Sequence, residues 1–243
     1  MDGDRFKFVD LFAGIGGFHH ALEELGGECV LAVERDADCQ QVYRHAFAST
    51  RLDSDIREIT CYADGTDRSL EDVDERVPDH DVLCAGFPCQ PFSKSGFQEG
   101  VRDRTRGTLF HDVMTIVMAK KPQFVMLENV RNLAGPRHRE TWKDIINSLT
   151  GEGYRVRTEP LVLSPHRLSK EDGGAPQVRD RVFILAYRWS GPEKLDSEPL
   201  LSRDLSPGWD PDCWRIEDYL DDDDSIDNLA DYELSDAERT WVE

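Results

Sequence analysis

From residue 6 to about residue 187, short apolar runs alternate with amphipathic ones, and this alternation constrains the fold more than any other feature of the chain. The apolar runs have strand length and the amphipathic runs helix length, the pattern of a parallel sheet with helices packed on both faces. "KFVDLF" reads as a first strand, and "FHHALEELG" as a helix with Phe18, Ala21, Leu22 and Leu25 at i, i+3, i+4 and i+7. "ECVLAV" is a second strand, followed by the helix "DADCQQVYRHAF" with Asp36 at its N-cap. "DVLCAG", "QFVMLE" and "RVFILAY" supply further strands, and "LFHDVMTIVMAK" and "RETWKDIINSLTGEG" the helices between them. The expected architecture is an α/β domain over residues 1–190 with a mostly parallel sheet.

Beyond residue 190 the periodicity stops. "SGPEKLDSEPLLSRDLSPGWDPDCW" is rich in Pro, Ser, Gly and Asp and reads as linker. "DDDD" at 221–224 is a solvated acidic turn, and Ser235 with Glu238 forms a capping box at the start of a last helix. Residues 191–243 are therefore expected to be a linker leading into the start of an incomplete second region.

Bulk properties narrow the function. No apolar run reaches the ~18 residues of a membrane span, and "MDGDRFKF" lacks the layout of a secretory signal, so a cytoplasmic location is expected. The six cysteines are scattered without C-x-x-C pairs or Cys/His clusters, which argues against a structural metal and a disulfide framework. The 49 acidic and 29 basic residues give a net charge of −20, with few lysines among the basic ones. Such a balance ordinarily argues against a polyanionic partner. An acid-rich, lysine-poor surface is also what proteins of salt-loving organisms carry, because strong salt screens self-repulsion to a few ångströms. The charge is read as that adaptation, with a halophilic prokaryote as the expected source, and nucleic acid stays open.

Four segments carry chemistry. In "DLFAGIGGF" a strand runs into Gly14-x-Gly16-Gly17 and then a helix, which brings backbone amides close to a ligand at the carboxyl end of the sheet. A dinucleotide fingerprint needs glycine where this chain has His19, so NAD is disfavoured. Glu34 stands at the end of the second strand, where an acidic side chain accepts from ribose hydroxyls, and Asp55 occupies a third strand-end position suited to the adenine amino group. Adenosine without a pyrophosphate fits, and S-adenosylmethionine is the common cofactor of that kind.

In "GFPCQPFS" Cys89 is framed by Pro88 and Pro91 just past a strand, which displays the thiol towards the same crevice; Cys84, in mid-strand, is packing. Glu128 in "FVMLENV" ends another apolar strand, as a helix N-cap or a functional acid. Gln177, Arg179 and Arg181 in "QVRDRVFILA" alternate, so all three are expected on one face of a strand, as a solvated edge or as a clamp for an anion and a carbonyl.

"DLFAGIGGF", "GFPCQPFS", "RGTLF", "ENV" and "QVRDR", in this order, resemble the motifs of the DNA cytosine-5 methyltransferases over roughly residues 6–187. The resemblance implies a Rossmann-like methyltransferase fold, S-adenosylmethionine as cofactor, double-stranded DNA with a flipped cytosine as partner, and the setting of a restriction–modification system. It assigns Cys89 as nucleophile at cytosine C6, Glu128 to N3 and the exocyclic amine, Arg181 to O2, and Arg179 to support. The cofactor site it implies comprises Phe12, Gly14, Gly16, Glu34, Arg35, Asp55, Ile56, Pro88 and Leu109, with Arg35 where many relatives carry an adenine-stacking aromatic. Gln90, Ser93 and Gln177 are expected to touch the nucleic acid. Arg102, Arg104 and Arg106 lie on the segment matching a mobile loop that closes over DNA.

Members of the family continue into a target-recognition region, and this chain is expected to end where that begins, as part of a split enzyme completed by a second polypeptide or as a truncated product. Two rival readings stand beside it: a methyltransferase of transfer RNA, and a catalytically silent subunit that binds DNA or a partner.

Overall fold

The computed structural model describes residues 5–88, 108–157, 159–168 and 173–188. Cys89, Gln90, Ser93, Arg102, Arg104 and Arg106, with the whole 191–243 stretch, lie outside the described residues. The elements run β1 (Lys7–Leu11), α1 (Gly17–Glu24), β2 (Glu28–Val33), α2 (Ala37–Ala46), β3 (Leu52–Asp53), α3 (Ile56–Thr60), α4 (Leu70–Arg76), β4 (Val82–Ala85), α5 (Leu109–Lys120), β5 (Phe124–Val130), α6 (Arg139–Gly151), β6 (Tyr154–Val156), β7 (Leu161–Leu163) and β8 (Arg181–Arg188). Single 3-10 turns follow β5 and precede β8.

The sheet has the order β3-β2-β1-β4-β5-β8-β6, with β7 also on β8. From β3 to β5 every pairing is parallel, so five carboxyl ends share one edge. β8 runs antiparallel to β5, in a register that sets Val130 opposite Arg181 and Glu128 opposite Phe183. That reversal brings the beginning of β8 to the edge where β5 ends, and so places Arg181 beside the other strand ends.

Strand alternation divides the core. Val9, Leu11, Leu31, Val33, Leu83 and Leu127 point to one side, where α3 to α6 cover them with Ile56, Val73, Ile116 and Ile145. Phe8, Ala32 and Cys84 point to the other, against Leu22 of α1 and Tyr43 of α2. A fully buried side chain of this size contributes about 1.5–3 kcal/mol, so the first cluster is the main source of stability. Cys84 is fully buried, as expected of a packing residue.

Local sequence sets the boundaries. Asp36 Oδ1 accepts from the backbone N–H of Asp38 at 3.0 Å and Cys39 at 2.9 Å, opening α2 as its N-cap. Thr108 opens α5 by accepting from His111 N–H, and Lys121 closes it in a left-handed conformation at φ 50°. α1 begins at Gly16, φ 97°, with no side-chain cap.

One expectation is overturned. Gln177 and Arg179 do not belong to a strand, because β8 begins only at Arg181. Upstream of Arg181 the chain is tied to the Pro165–Arg167 turn: the Arg179 N–H donates to Ser164 Oγ at 2.9 Å and the His166 N–H to the Gln177 carbonyl at 3.3 Å. β5 has ended at Val130, so no neighbouring strand remains on that side to pair with residues 177–180.

Candidate active site

The strand ends enclose a groove of about 820 Å³. Seven of the sequence-predicted cofactor residues line it: Phe12, Glu34, Arg35, Asp55, Ile56, Pro88 and Leu109. Gly14 and Gly16 do not line it, and their roles are in the backbone. The Gly14 N–H donates to Glu34 Oε2 at 2.8 Å, while the Asp36 N–H donates to Oε1 at 2.7 Å. Glu34 thus clasps the glycine loop to the start of α2, and each oxygen keeps a second acceptor site for a ribose hydroxyl. A Cβ on Gly16 would stand 2.3 Å from Phe47 Cε2, so glycine is required there by the Phe47 ring and by the positive φ.

Phe12 itself has φ 59°, a conformation that costs a non-glycine residue of order 1 kcal/mol or more and that persists where the surroundings enforce it. Here the turn aims its ring into the groove opposite Ile56 and Leu109, giving two apolar walls for a planar base. Asp55 lies two residues past β3, not on it, and caps α3 by accepting from the Arg57 N–H at 2.9 Å. Its other oxygen is 3.7 Å from Arg35 Nε, whose side chain is 87% exposed; an ion pair that open to water adds little stability and leaves Arg35 free to swing over the groove. Strand-end carboxylates, apolar walls and a glycine loop without a pyrophosphate signature fit an adenosine cofactor.

On the other side of the groove, Arg181 Nε donates to Glu128 Oε1 at 2.7 Å. Both side chains are 23% exposed, so Glu128 is no helix cap and Arg181 no solvated edge. Gly86, at the end of β4, brings its backbone against this pair: a Cβ there would lie 3.6 Å from Glu128 Oε2. Arg179 and Gln177 are exposed and do not join the pair. Asp180, between the two arginines, is held instead by Arg131 at 2.7 Å, and that guanidinium keeps the Asp180 carboxyl below the usual carboxylate range.

Sequence reasoning missed Asn129. Its side chain is 3% exposed, donates from Nδ2 to the Phe87 carbonyl at 2.7 Å and accepts the Val130 N–H on Oδ1. Asn129 therefore fastens the segment that leads into Cys89 to the strand carrying Glu128. The signal was available: an amide inside an apolar strand must find partners, and the loop following β4 is the nearest source of unpaired carbonyls.

This order of cofactor groove, β4 loop, acidic strand end and paired arginine agrees with what known proteins show. Residues 6–241 match the family model of the C-5 cytosine-specific DNA methylases. The chain belongs to that family. Among the curated relatives of this methylase, the type II methyltransferase M.AluI of Cellulosimicrobium cellulans is 48% identical over 182 residues, covering 75% of this chain and 33% of that protein. M.HhaI of Haemophilus parahaemolyticus is 39% identical, over 75% of this chain and 49% of that protein, and M.MspI of Moraxella sp. is 32% identical over 98% and 54%. The chain thus spans about a third to a half of the length of these relatives. Among solved structures, a Spodoptera frugiperda DNMT2 mutant superimposes with a TM-score of 0.57 at 25% identity, covering 83% of this chain and 56% of that one. S. pombe Dnmt2 methyltransferase gives 0.62 at 19%, covering 96% and 64%, a likeness of fold. The methylase fold is Rossmann-like, and its cofactor is S-adenosylmethionine. Among the described residues there is no cluster able to hold a metal and no helix long and apolar enough to cross a membrane.

Proposed function

We propose that this chain carries the cofactor-binding and catalytic half of a DNA cytosine-5 methyltransferase. The observation that carries the reading is the Glu128–Arg181 pair set against Gly86 at the head of the cysteine loop, across the groove from Glu34 and Asp55. Cytosine C5 is too electron-poor to take a methyl group directly, so a nucleophile first adds at C6. Cys89 supplies it as a thiolate, strongly nucleophilic and a good leaving group. The prolines and the Asn129 hydrogen bond limit the thiolate's approach, supplying orientation that would otherwise cost entropy.

Glu128 binds N3 and the exocyclic amine as charge builds on the ring, and Arg181, oriented by Glu128, holds O2. S-adenosylmethionine supplies an electrophilic methyl group on a sulfonium. With that methyl on C5, a base takes the C5 proton, the C6–S bond breaks, and the 5,6 double bond returns as Cys89 leaves.

The curated relatives are named as DNA modification enzymes, so DNA is the acceptor proposed in preference to transfer RNA, and an intact Glu128–Arg181 pair speaks against a silent subunit. The target base is flipped out of the duplex to reach the pair. Arg102, Arg104 and Arg106 contact phosphates, Gln90, Ser93 and Gln177 contact the displaced strand, and Arg179 supports the site. Target recognition requires sequence beyond the catalytic half, in the same or a second polypeptide. The acidic surface keeps the enzyme folded in the salty cytoplasm of a halophile.

The test is transfer of labelled methyl groups to genomic DNA in molar potassium chloride, with this chain alone, with candidate complementing polypeptides, and as Cys89→Ser. Transfer that depends on Cys89 is expected. Absence of transfer under every pairing, with cofactor bound, would overturn the enzymatic reading.

A further inference from the structure

Beneath the glycine loop sits a carboxyl group that the reaction does not use. Asp10 of β1 is 0% exposed, and neither of its oxygens closes a hydrogen bond. An unsatisfied buried polar group is costly, and an apolar residue at the same strand position would remove that cost. The groups around it come from every neighbouring element: His19 of α1, Cys29 and Glu34 at the two ends of β2, Tyr43 of α2 and Cys84 of β4. None supplies a compensating cation. His19 Nδ1 is engaged with Tyr43 Oη at 2.5 Å, its ring stacks on Phe47 at 3.7 Å, and burial lowers its pKa, which keeps it neutral.

The one group that pulls on the Asp10 carboxylate is the backbone N–H of His19, in the first turn of a helix whose N-cap, Gly16, offers no side chain. That turn continues directly from the loop whose Gly14 N–H holds Glu34. Burial first, and then repulsion from Glu34, raise the Asp10 pKa to about 7, the His19 amide opposing them.

We propose that Asp10 is a positioning residue that grips the first turn of α1 as a carboxylate and releases it as an acid, so that the groove's affinity for a cationic cofactor follows its ionisation. The affinity clause rests on the groove being the S-adenosylmethionine site; the grip on α1 does not. A sulfonium in the groove favours the ionised pair Asp10 and Glu34, so binding it expels a proton, whereas the neutral thioether product lacks that coupling.

Amide exchange of Phe18 and His19, corrected for intrinsic base catalysis, is measured on either side of neutrality together with the infrared carbonyl band of a protonated buried carboxyl. Protection is expected to rise about tenfold as the band disappears, with one shared midpoint, and both changes are expected to vanish in Asp10→Asn. These wild-type profiles decide the matter even if the variant does not fold: exchange that ignores the carboxyl titration overturns the grip. Calorimetry with S-adenosylmethionine and with S-adenosylhomocysteine then tests the linkage. Affinity for the cation should rise with pH and that for the thioether should not, and equal pH profiles overturn the coupling. Failure of both ligands to bind would remove the cofactor reading of the groove and the affinity clause with it, while exchange and infrared still decide the grip.

Discussion

The two sides of the groove are built differently. The cofactor side is local: Phe12, Gly14, Glu34, Asp36 and Asp55 all lie within 44 residues of chain, and backbone amides hold its key carboxylate in place. The base side is assembled from afar, with Gly86, Glu128 and Arg181 meeting only because β8 turns back against β5. A local site tolerates change at its rim, because each piece is held by its neighbours. An assembled site depends on a few long-range contacts and should fail when one is lost.

The largest effect should come from Glu128→Gln. It weakens the hold on Arg181 and removes the charge facing the reacting ring, and methyl transfer is expected to fall by about 10²–10³-fold while cofactor affinity measured by calorimetry stays within about twofold. Equal losses in both would erase the distinction between the two sides. Gly16→Val comes next, since its Cβ meets the Phe47 ring and the backbone has positive φ; a loss of about 2–4 kcal/mol in chemical denaturation is expected, with cofactor binding lost alongside. Asn129→Ala leaves the buried Phe87 carbonyl without its donor, for about 1–3 kcal/mol, and should lower turnover without touching cofactor affinity. Arg35→Ala, at the exposed rim, should change stability by less than about 0.5 kcal/mol.

A pH series sharpens the comparison from beneath. The Asp10 pKa is about 7 in the fold against an ordinary 3.8, so the folded state holds this proton where the unfolded chain has lost it. Its contribution is full below 3.8 and disappears as pH rises through about 7, so denaturation midpoints of Asp10→Asn should overtake the wild type above neutrality and not below pH 4.

What could be read from sequence follows the same division. Elements with strong periodicity emerged with their observed bounds, as "ECVLAV" did for Glu28–Val33 and "LFHDVMTIVMAK" for Leu109–Lys120. β3 has only two residues and β6 and β7 three each, too short for any alternation to register, and α3 and α4 are held by tertiary packing of Ile56, Ile59 and Val73 more than by their own pattern. On the cofactor side, strand-end carboxylates sufficed to place Glu34 in the groove. On the base side, alternation in "QVRDR" misled, because Ser164 and the turn beside it, far away in sequence, capture that stretch before it can join the sheet. Asn129 and Asp10 were missed for a related reason: what matters is which partner a buried polar group finds, and that is a property of the assembled sheet.

The reversed direction of β8 also governs exit. Arg188 leaves the sheet at the edge away from the groove, its N–H bonded to the Gln123 carbonyl just before β5 begins. The strand has 8 residues, so the chain departs about 25 Å from Arg181. Any downstream segment that reads DNA beside Glu128 must first span that height, using at least about seven residues of fully extended chain. The stretch after residue 188 is thus a tether with a minimum length, and trimming it below that length would separate recognition from catalysis without altering a single side chain of the site.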